Sequence, residues 1–300
     1  MKLPTEDINC PALHKRYYQY FDFAEKFWAK TSQLLGDKTI VGIGNGTNFN
    51  TCICGVFAKQ MRLYYGIIKL CGSGLSHESL VLLRTMFYTS TYLLALSKSD
   101  DKQKFAKLWV AWNFAIDDRN LTDLPAKKSK ETSLTDDLVR YLEEVKTTLP
   151  EDKWRAFIEN GPPLLNFRDL CKQLKSGGTS FEDSYLTLFR ICSSVAHGSD
   201  LLFYAQPGDN SITCQLSPSD EGIDKIILTA AVLLRDTCVQ IHDLLNLGKE
   251  DVKEEIVALF ETHKALKIVT DEISDKSDLV PQSKTMRLYG DKMSEILKEL

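Results

Sequence analysis

Residues 76–97 are apolar nearly all the way round a helical projection, with Leu82-Leu83-Arg84-Thr85-Met86-Phe87-Tyr88 at the centre. A helix without a polar face has to be covered on every side, so this segment predicts a buried helix that other elements surround. The rest of the chain is patterned to supply them. Apolar residues recur at helical spacing in 13–35, 51–70, 102–120, 134–148, 154–159, 167–174, 181–197, 221–247 and 251–269. The joints are short and made of helix breakers: Gly36, Gly72 and Gly74, Pro150, Gly161-Pro162-Pro163, Gly177-Gly178 and Gly248. Helices joined so closely pack as antiparallel neighbours. The predicted fold class is therefore all-α, a multi-helix antiparallel bundle. The exception is 200–206 and 211–216, which flank Pro207 to Asn210 and read as either a small β-hairpin or an extended loop. The predicted organisation is a helical core domain over 1–248 and a C-terminal helical extension over 249–300.

Two segments carry charge where apolar spacing dominates. Arg84 lies inside the buried helix, where a guanidinium is costly unless something pairs with it. It either bridges to a neighbouring helix and fixes register, or faces a shared pocket. The second segment, 181–197, reads as one amphipathic helix stopped by Gly198, with Tyr185, Leu188, Phe189, Cys192 and Ala196 on its apolar side. Arg190 and His197 are seven residues apart, so they fall on nearly the same face, ~10 Å apart along the axis. Such side chains can converge on one small anion. Ser193 stands one turn before His197 and can orient its imidazole.

Other motifs point nowhere specific. Thr39-Ile-Val-Gly-Ile-Gly-Asn-Gly-Thr47 is glycine-rich but lacks phosphate-loop spacing, and reads as a loop before a helix capped by Asn48 or Asn50. His77-Glu78 and His242-Asp243 lack the spacing of a helical zinc site and read as surface or capping pairs. Eight cysteines are scattered, and Cys52-x-Cys54 has no second pair, so no metal and no cofactor is expected. A chain of 300 residues with 26% charged side chains and net charge -4 is ordinary globular material, ill suited to coating nucleic acid all over. No apolar run approaches the ~18 residues of a membrane span. The N-terminus lacks a basic-then-apolar leader, so a cytoplasmic location and no membrane partner are expected.

Two stretches together resemble a functionally uncharacterised bacterial family. Gly74-Leu-Ser-His-Glu-Ser-Leu-Val-Leu-Leu-Arg84-Thr-Met-Phe87 is similar to its "L-[LA]-R-S-[LM]-[FL]-E" helix. Phe189-Arg190-x-x-Ser193-x-x-x-His197-Gly-Ser199 is similar to its "Y-R-x-x-S-x-x-x-H-[GP]-S" motif. Tyr88 stands where that family usually has glutamate, and Phe189 where it often has tyrosine. Arg190-x₆-His197 also resembles the R-x₄₋₆-H pattern of the HEPN superfamily of helical nucleotide-binding domains. That resemblance implies a HEPN-like core and a homodimer with two Arg-His sets around one scissile phosphate. It also implies metal-independent RNA cleavage in defence or stress response, with RNA or a nucleotide as partner. His197 and Arg190 would then be catalytic, with Arg84, Ser193, Ser199, Tyr88 and Tyr185 as binding or supporting residues. The alternative is a non-catalytic protein-interaction or ligand-sensing module in which the same charges only specify packing. Exposure separates the two: an open Arg190 and His197 favour chemistry, and burial against Asp or Glu favours architecture.

Overall fold

The computed structural model describes residues 10–35, 48–122, 136–176, 179–180, 188–197, 205–207, 212–214, 220 and 222–268. The fold is all-α. The chain divides into two compact units, one made of 1–42, 56–91 and 183–300, the other of 43–55 and 92–182.

In the first unit, α1 (Pro11–Arg16) and α2 (Tyr18–Ser32) replace the single helix expected over 13–35. Tyr17 breaks it, with φ -105° and ψ 23°. The break has a local reason: Tyr17 Oη donates to the Asp220 carbonyl at 3.1 Å, while Arg16 pairs with the Asp220 carboxylate at 2.5 Å. The long helices α3 (Asn48–Gly72) and α4 (Ser76–Lys98) follow. A Cβ at Gly66 would lie 2.9 Å from Leu82 Cδ1, so the two helices meet closely there. The buried Gln60 amide donates to the Met86 carbonyl at 3.0 Å and to Ser90 Oγ at 2.8 Å. Ser90 in turn bonds Thr237 Oγ1 at 3.2 Å, which ties α3 and α4 to the long helix at Ile223–Leu245.

That helix is α10; α9 is Arg190–Ala196. The expected stop of α10 at Gly248 comes earlier, because Asn246 takes the left-handed conformation, φ 47°, and its N–H returns to the His242 carbonyl. Asparagine is the residue after glycine best able to do this. Beyond it α11 (Glu250–Glu261) lies against α10 and α2. Phe260 meets Phe27 edge-on, Phe27 meets Tyr64, and the Arg235 guanidinium covers Phe260 at 4.4 Å. Lys30 pairs with Glu255, and Lys249 donates to the Gln33 and Leu34 carbonyls at the end of α2. The two histidines read as surface or capping residues are buried, His77 at 1% and His242 at 2% exposure. His242 Nδ1 sits 3.1 Å from Asp243 and Nε2 3.5 Å from Glu250. A carboxylate partner lets an imidazole sit inside where spacing alone predicts a surface.

In the second unit, α5 (Lys102–Thr122), α6 (Asp136–Thr148), α7 (Glu151–Asn160) and α8 (Phe167–Gln173) pack on an aromatic stack. Tyr92 lies parallel to Trp112, 5.5 Å between centroids, and to Phe167 at 6.3 Å. Tyr92 Oη donates to the Asn160 carbonyl and Trp112 Nε1 to the Ile158 carbonyl. Pro150 ends α6 and precedes the first turn of α7, so α7 begins earlier than the apolar pattern indicates. Asn166 caps α8 as expected, accepting from the Asp169 N–H at 3.0 Å.

Short ladders complete the described residues: β1 (Lys175–Ser176) pairs with β2 (Thr179–Ser180), and β3 (Ala205–Pro207) with β4 (Ile212–Cys214), both antiparallel. The glycine-rich 39–47 lies outside the described residues. Among those residues α4 is the one helix long and apolar enough to cross a membrane, and 72% of that stretch is buried within the protein.

Two glycines make opposite predictions. Gly55 sits inside α3 with nothing within 4 Å of an added Cβ. Gly55→Ala should stabilise the protein by roughly 0.5–1 kcal/mol, because alanine loses less backbone entropy in a helix. Gly161 holds φ 74°, and a Cβ there would stand 3.0 Å from the Trp112 ring. Gly161→Ala should cost more than about 1 kcal/mol. Thermal melts of the two variants should move in opposite directions.

Candidate functional site

Three elements of the first unit build the site. Leu188 and Phe189 are wound as a π turn that leads into α9, a helix of seven residues. The expected long helix over 181–197 is thus seen only from 188, and Tyr185 lies outside the described residues, as do Gly198 and Ser199. His197 is the residue at the C-terminal end, with φ -101° and ψ 5°, and its N–H donates to the Ser193 carbonyl at 3.0 Å.

At 100° per residue, Arg190 and His197 are ~20° apart round α9. Both are exposed. Among the described residues neither makes an ion pair with a carboxylate. Phe189 and Ser193 fall on the adjoining flank, and that flank faces α4. Phe189 touches Phe87 at 6.3 Å between centroids, and the Arg84 guanidinium carbon lies 4.8 Å from the centre of the Phe189 ring. The carboxylate partner considered for Arg84 is not there among the described residues; an aromatic face takes its place. Such a contact stabilises by about 0.5–2 kcal/mol and leaves the positive charge in force.

The polar atoms along this seam are short of partners. Arg84 Nε and Ser193 Oγ are both buried and without a hydrogen bond. A buried donor left unbonded costs about 1–3 kcal/mol, a cost an anion or water reaching the seam would remove. Cys192, fully buried beside them, has its thiol pushed up to about 12 by burial, against a smaller opposing pull from Arg84. Tyr88, one turn after Arg84 on α4, is half-buried. The structure thus brings Arg84, Phe189, Cys192 and Ser193 together, with Arg190 and His197 on the open face beside them. Phe189 was missed as a support for Arg84; the signal was available, since a ring next to an Arg-containing helix is a ready cation–π partner. Among the described residues no three His, Cys, Asp or Glu side chains gather as metal ligands.

Residues 50–211, which include both α4 and α9, match the Family of unknown function DUF5677. The chain belongs to that family. The match covers over half of the protein and takes in every candidate site residue. No curated protein and no solved structure matches the chain.

In this DUF5677 protein the site's cysteine, Cys192, is buried, as are Cys52, Cys71 and Cys171 elsewhere in the chain. Burial pushes Cys52, Cys71, Cys171 and Cys192 up to about 12. The thiolate is the reactive form, so Cys192 should resist iodoacetamide at pH 8 until the protein is unfolded, as peptide mapping will read. The same shifts set an alkaline limit. Unfolded thiols ionise from about pH 8.5 while the folded ones stay protonated. The stability they contribute is therefore complete below that pH and is lost as pH climbs toward 12. Urea midpoints measured at pH 7 and pH 10 should show the lower value at pH 10.

Proposed function

We propose that this protein is a HEPN-like, metal-independent endoribonuclease, working as a cytoplasmic homodimer in a bacterial defence or stress response. The observation that carries the reading is the joint exposure of Arg190 and His197 on one face of α9, with no carboxylate paired to either among the described residues. A helix-packing pair would be buried and neutralised. A pair that handles a phosphodiester has to be open and keep its charge.

The chemistry follows from the two side chains. Imidazole is the group that exchanges protons near neutral pH. His197 takes the proton of a ribose 2′-hydroxyl, or returns one to the departing 5′-oxygen. The 2′-oxygen forms a new bond to phosphorus as the bond from phosphorus to the 5′-oxygen breaks. The products end in a 2′,3′-cyclic phosphate and a 5′-hydroxyl. Arg190 grips the non-bridging oxygens with its planar fork and offsets the charge that builds on them. In the homodimer each protomer supplies one Arg-His set to the same phosphate. Arg84 and Tyr88 support the pair from α4 and Ser193 from the adjoining flank of α9, while the other two supporting residues of this reading, Ser199 and Tyr185, lie outside the described residues.

A second reading, a non-catalytic protein-interaction or ligand-sensing module, draws on one observation: Arg84 is already engaged, stacked on Phe189. The two readings separate cleanly. Under the ribonuclease reading, purified protein cleaves single-stranded RNA in the presence of a chelator and leaves cyclic phosphate ends. His197→Ala abolishes cleavage with a change in stability under about 1 kcal/mol, the usual cost at an exposed position. Arg190→Lys cuts activity strongly, since a point charge does not replace the fork. If the wild type leaves RNA intact and both variants melt several degrees lower, the pair is architecture.

A further inference from the structure

The charge on α3 and α4 is out of keeping with the rest of the chain. The whole sequence carries 41 acidic against 37 basic side chains. From Asn48 to Lys98, however, Lys59, Arg62, Lys69, Arg84 and Lys98 face Glu78 as the sole carboxylate. Lys59 and Arg62 are exposed. Elsewhere in the same unit several cations are paired: Lys26 with Asp22, Lys253 with Asp243 and Glu250, and Lys264 with Glu261. Lys59 and Arg62 have no such carboxylate among the described residues. Desolvation lowers the Lys59 pKa. Its side chain is nonetheless exposed, so neighbouring atoms crowd the ammonium without closing it off from solvent.

Their position follows from helix geometry. At 100° per residue, Lys59, Arg62 and Gly66 fall within ~60° of one another round α3. Gly66 is where α3 meets Leu82 of α4, so both cations border α4. Round α4 itself, Leu82 and Arg84 are ~160° apart. The first faces α3 and the second faces Phe189. The α4 ridge of Val81, Thr85 and Tyr88, exposed or half-exposed, runs between them. Uncompensated cations therefore flank the ridge on both sides: Lys59 and Arg62 on one, Arg84 and Arg190 on the other. Two helix spacings of 8–10 Å put the flanks roughly 20 Å apart, more than a single phosphate can reach.

We propose that Lys59 and Arg62 on α3, across the α4 ridge from Arg84, form a phosphate track that holds single-stranded RNA beyond the scissile position. The identity of the polymer rests on the ribonuclease reading; the track itself rests on the charge pattern. A strand laid across the ridge meets Lys59 and Arg62 through phosphates on one side of the cleaved bond. The contacts carry no sequence information, so they hold the strand without selecting it.

The test separates the track from the chemistry. Binding of a fluorescent single-stranded RNA to the full chain carrying His197→Ala is followed by anisotropy across a potassium chloride series. Adding Lys59→Ala with Arg62→Ala should flatten the slope of log affinity against log salt by about 1.4, since each lost phosphate contact removes about 0.7 for single strands. Lys264→Ala, at a paired surface lysine, should leave the slope unchanged. In the His197 protein the double variant should raise KM and spare kcat, as loss of binding common to ground and transition states does. Both side chains are exposed, so thermal melts of the double variant should overlay the parent. An unchanged slope overturns the track even if the wild type cleaves RNA. A flattened slope upholds it even if the wild type cuts nothing, which would sink only the ribonuclease reading. Binding to anionic phosphatidylglycerol vesicles that depends on Lys59 and Arg62, with no RNA binding, also overturns it.

Discussion

The register of the first unit depends on one buried amide. Gln60 sits in α3 with no exposed surface, and its amide nitrogen is shared between the Met86 carbonyl and Ser90 Oγ on α4. Ser90 passes the connection to Thr237 on α10, whose hydroxyl also bonds the Leu233 carbonyl. A mostly apolar helix such as α4 gains little from one rotation over another by hydrophobic burial alone, because nearly every face is apolar. The amide supplies what burial cannot. Sliding α4 by one residue turns it by 100°, strands the Gln60 amide and costs about 1–3 kcal/mol for each buried polar group left unbonded. The same slip would take Leu82 off Gly66 and Arg84 off Phe189. A polar seam in the core thus fixes where a charge emerges at the surface.

The distribution of counter-ions is the second consequence. Lys26, Lys253 and Lys264 each stand one helical turn from a carboxylate. Lys59, Arg62 and Arg190 have none among the described residues, because α3, α4 and α9 hold almost no acids to offer. Surface ion pairs contribute little stability, about 0–1 kcal/mol each, so leaving these unmade costs the fold little. What it changes is the local potential, which falls off over about 8 Å at physiological salt. Confined to one face, that potential acts on a polyanion lying close to it and leaves the net acidity of the chain intact.

The helices were legible because their evidence is local. Apolar spacing and the breakers Pro150 and Gly161 placed most of them to within a few residues, although α11 ends at Glu261, short of the expected 269. Asn166 announced its own capping role. The departures arise from side-chain contacts that hydrophobic period does not register. Tyr17 breaks the first helix for the sake of Asp220, some two hundred residues away. His77 and His242 look like surface residues by spacing and are buried, and for His242 the enabling partners are Asp243 and Glu250. The π turn at Leu188 and Phe189 has no signature in hydrophobic period. At the site, the pairing of Arg190 with His197 could be read from their separation, and the Arg84 charge from its apolar setting. Its partner could not, since an arginine in a core invites a carboxylate and an aromatic ring is the less expected answer. Lys59 and Arg62 were overlooked because each is unremarkable alone. Their meaning comes from a near-absence of acids over fifty residues, with Glu78 alone among them, which a residue-by-residue search does not register.

The exchange at Arg84 links these points. Tyr88 follows Arg84 by four residues, the separation at which helical side chains meet. A carboxylate at that position would pair with the guanidinium and cancel its charge. Position 88 is a tyrosine, and the guanidinium lies on the Phe189 ring instead. The ring covers the arginine's flat face and contributes dispersion where a carboxylate would have contributed charge. A salt bridge would leave the α4–α9 seam neutral, whereas the cation–π contact leaves it positive, with Arg84 Nε and Ser193 Oγ still unbonded. An arginine held by a ring rather than a carboxylate therefore keeps its charge available to an anion that reaches the face carrying Arg190 and His197.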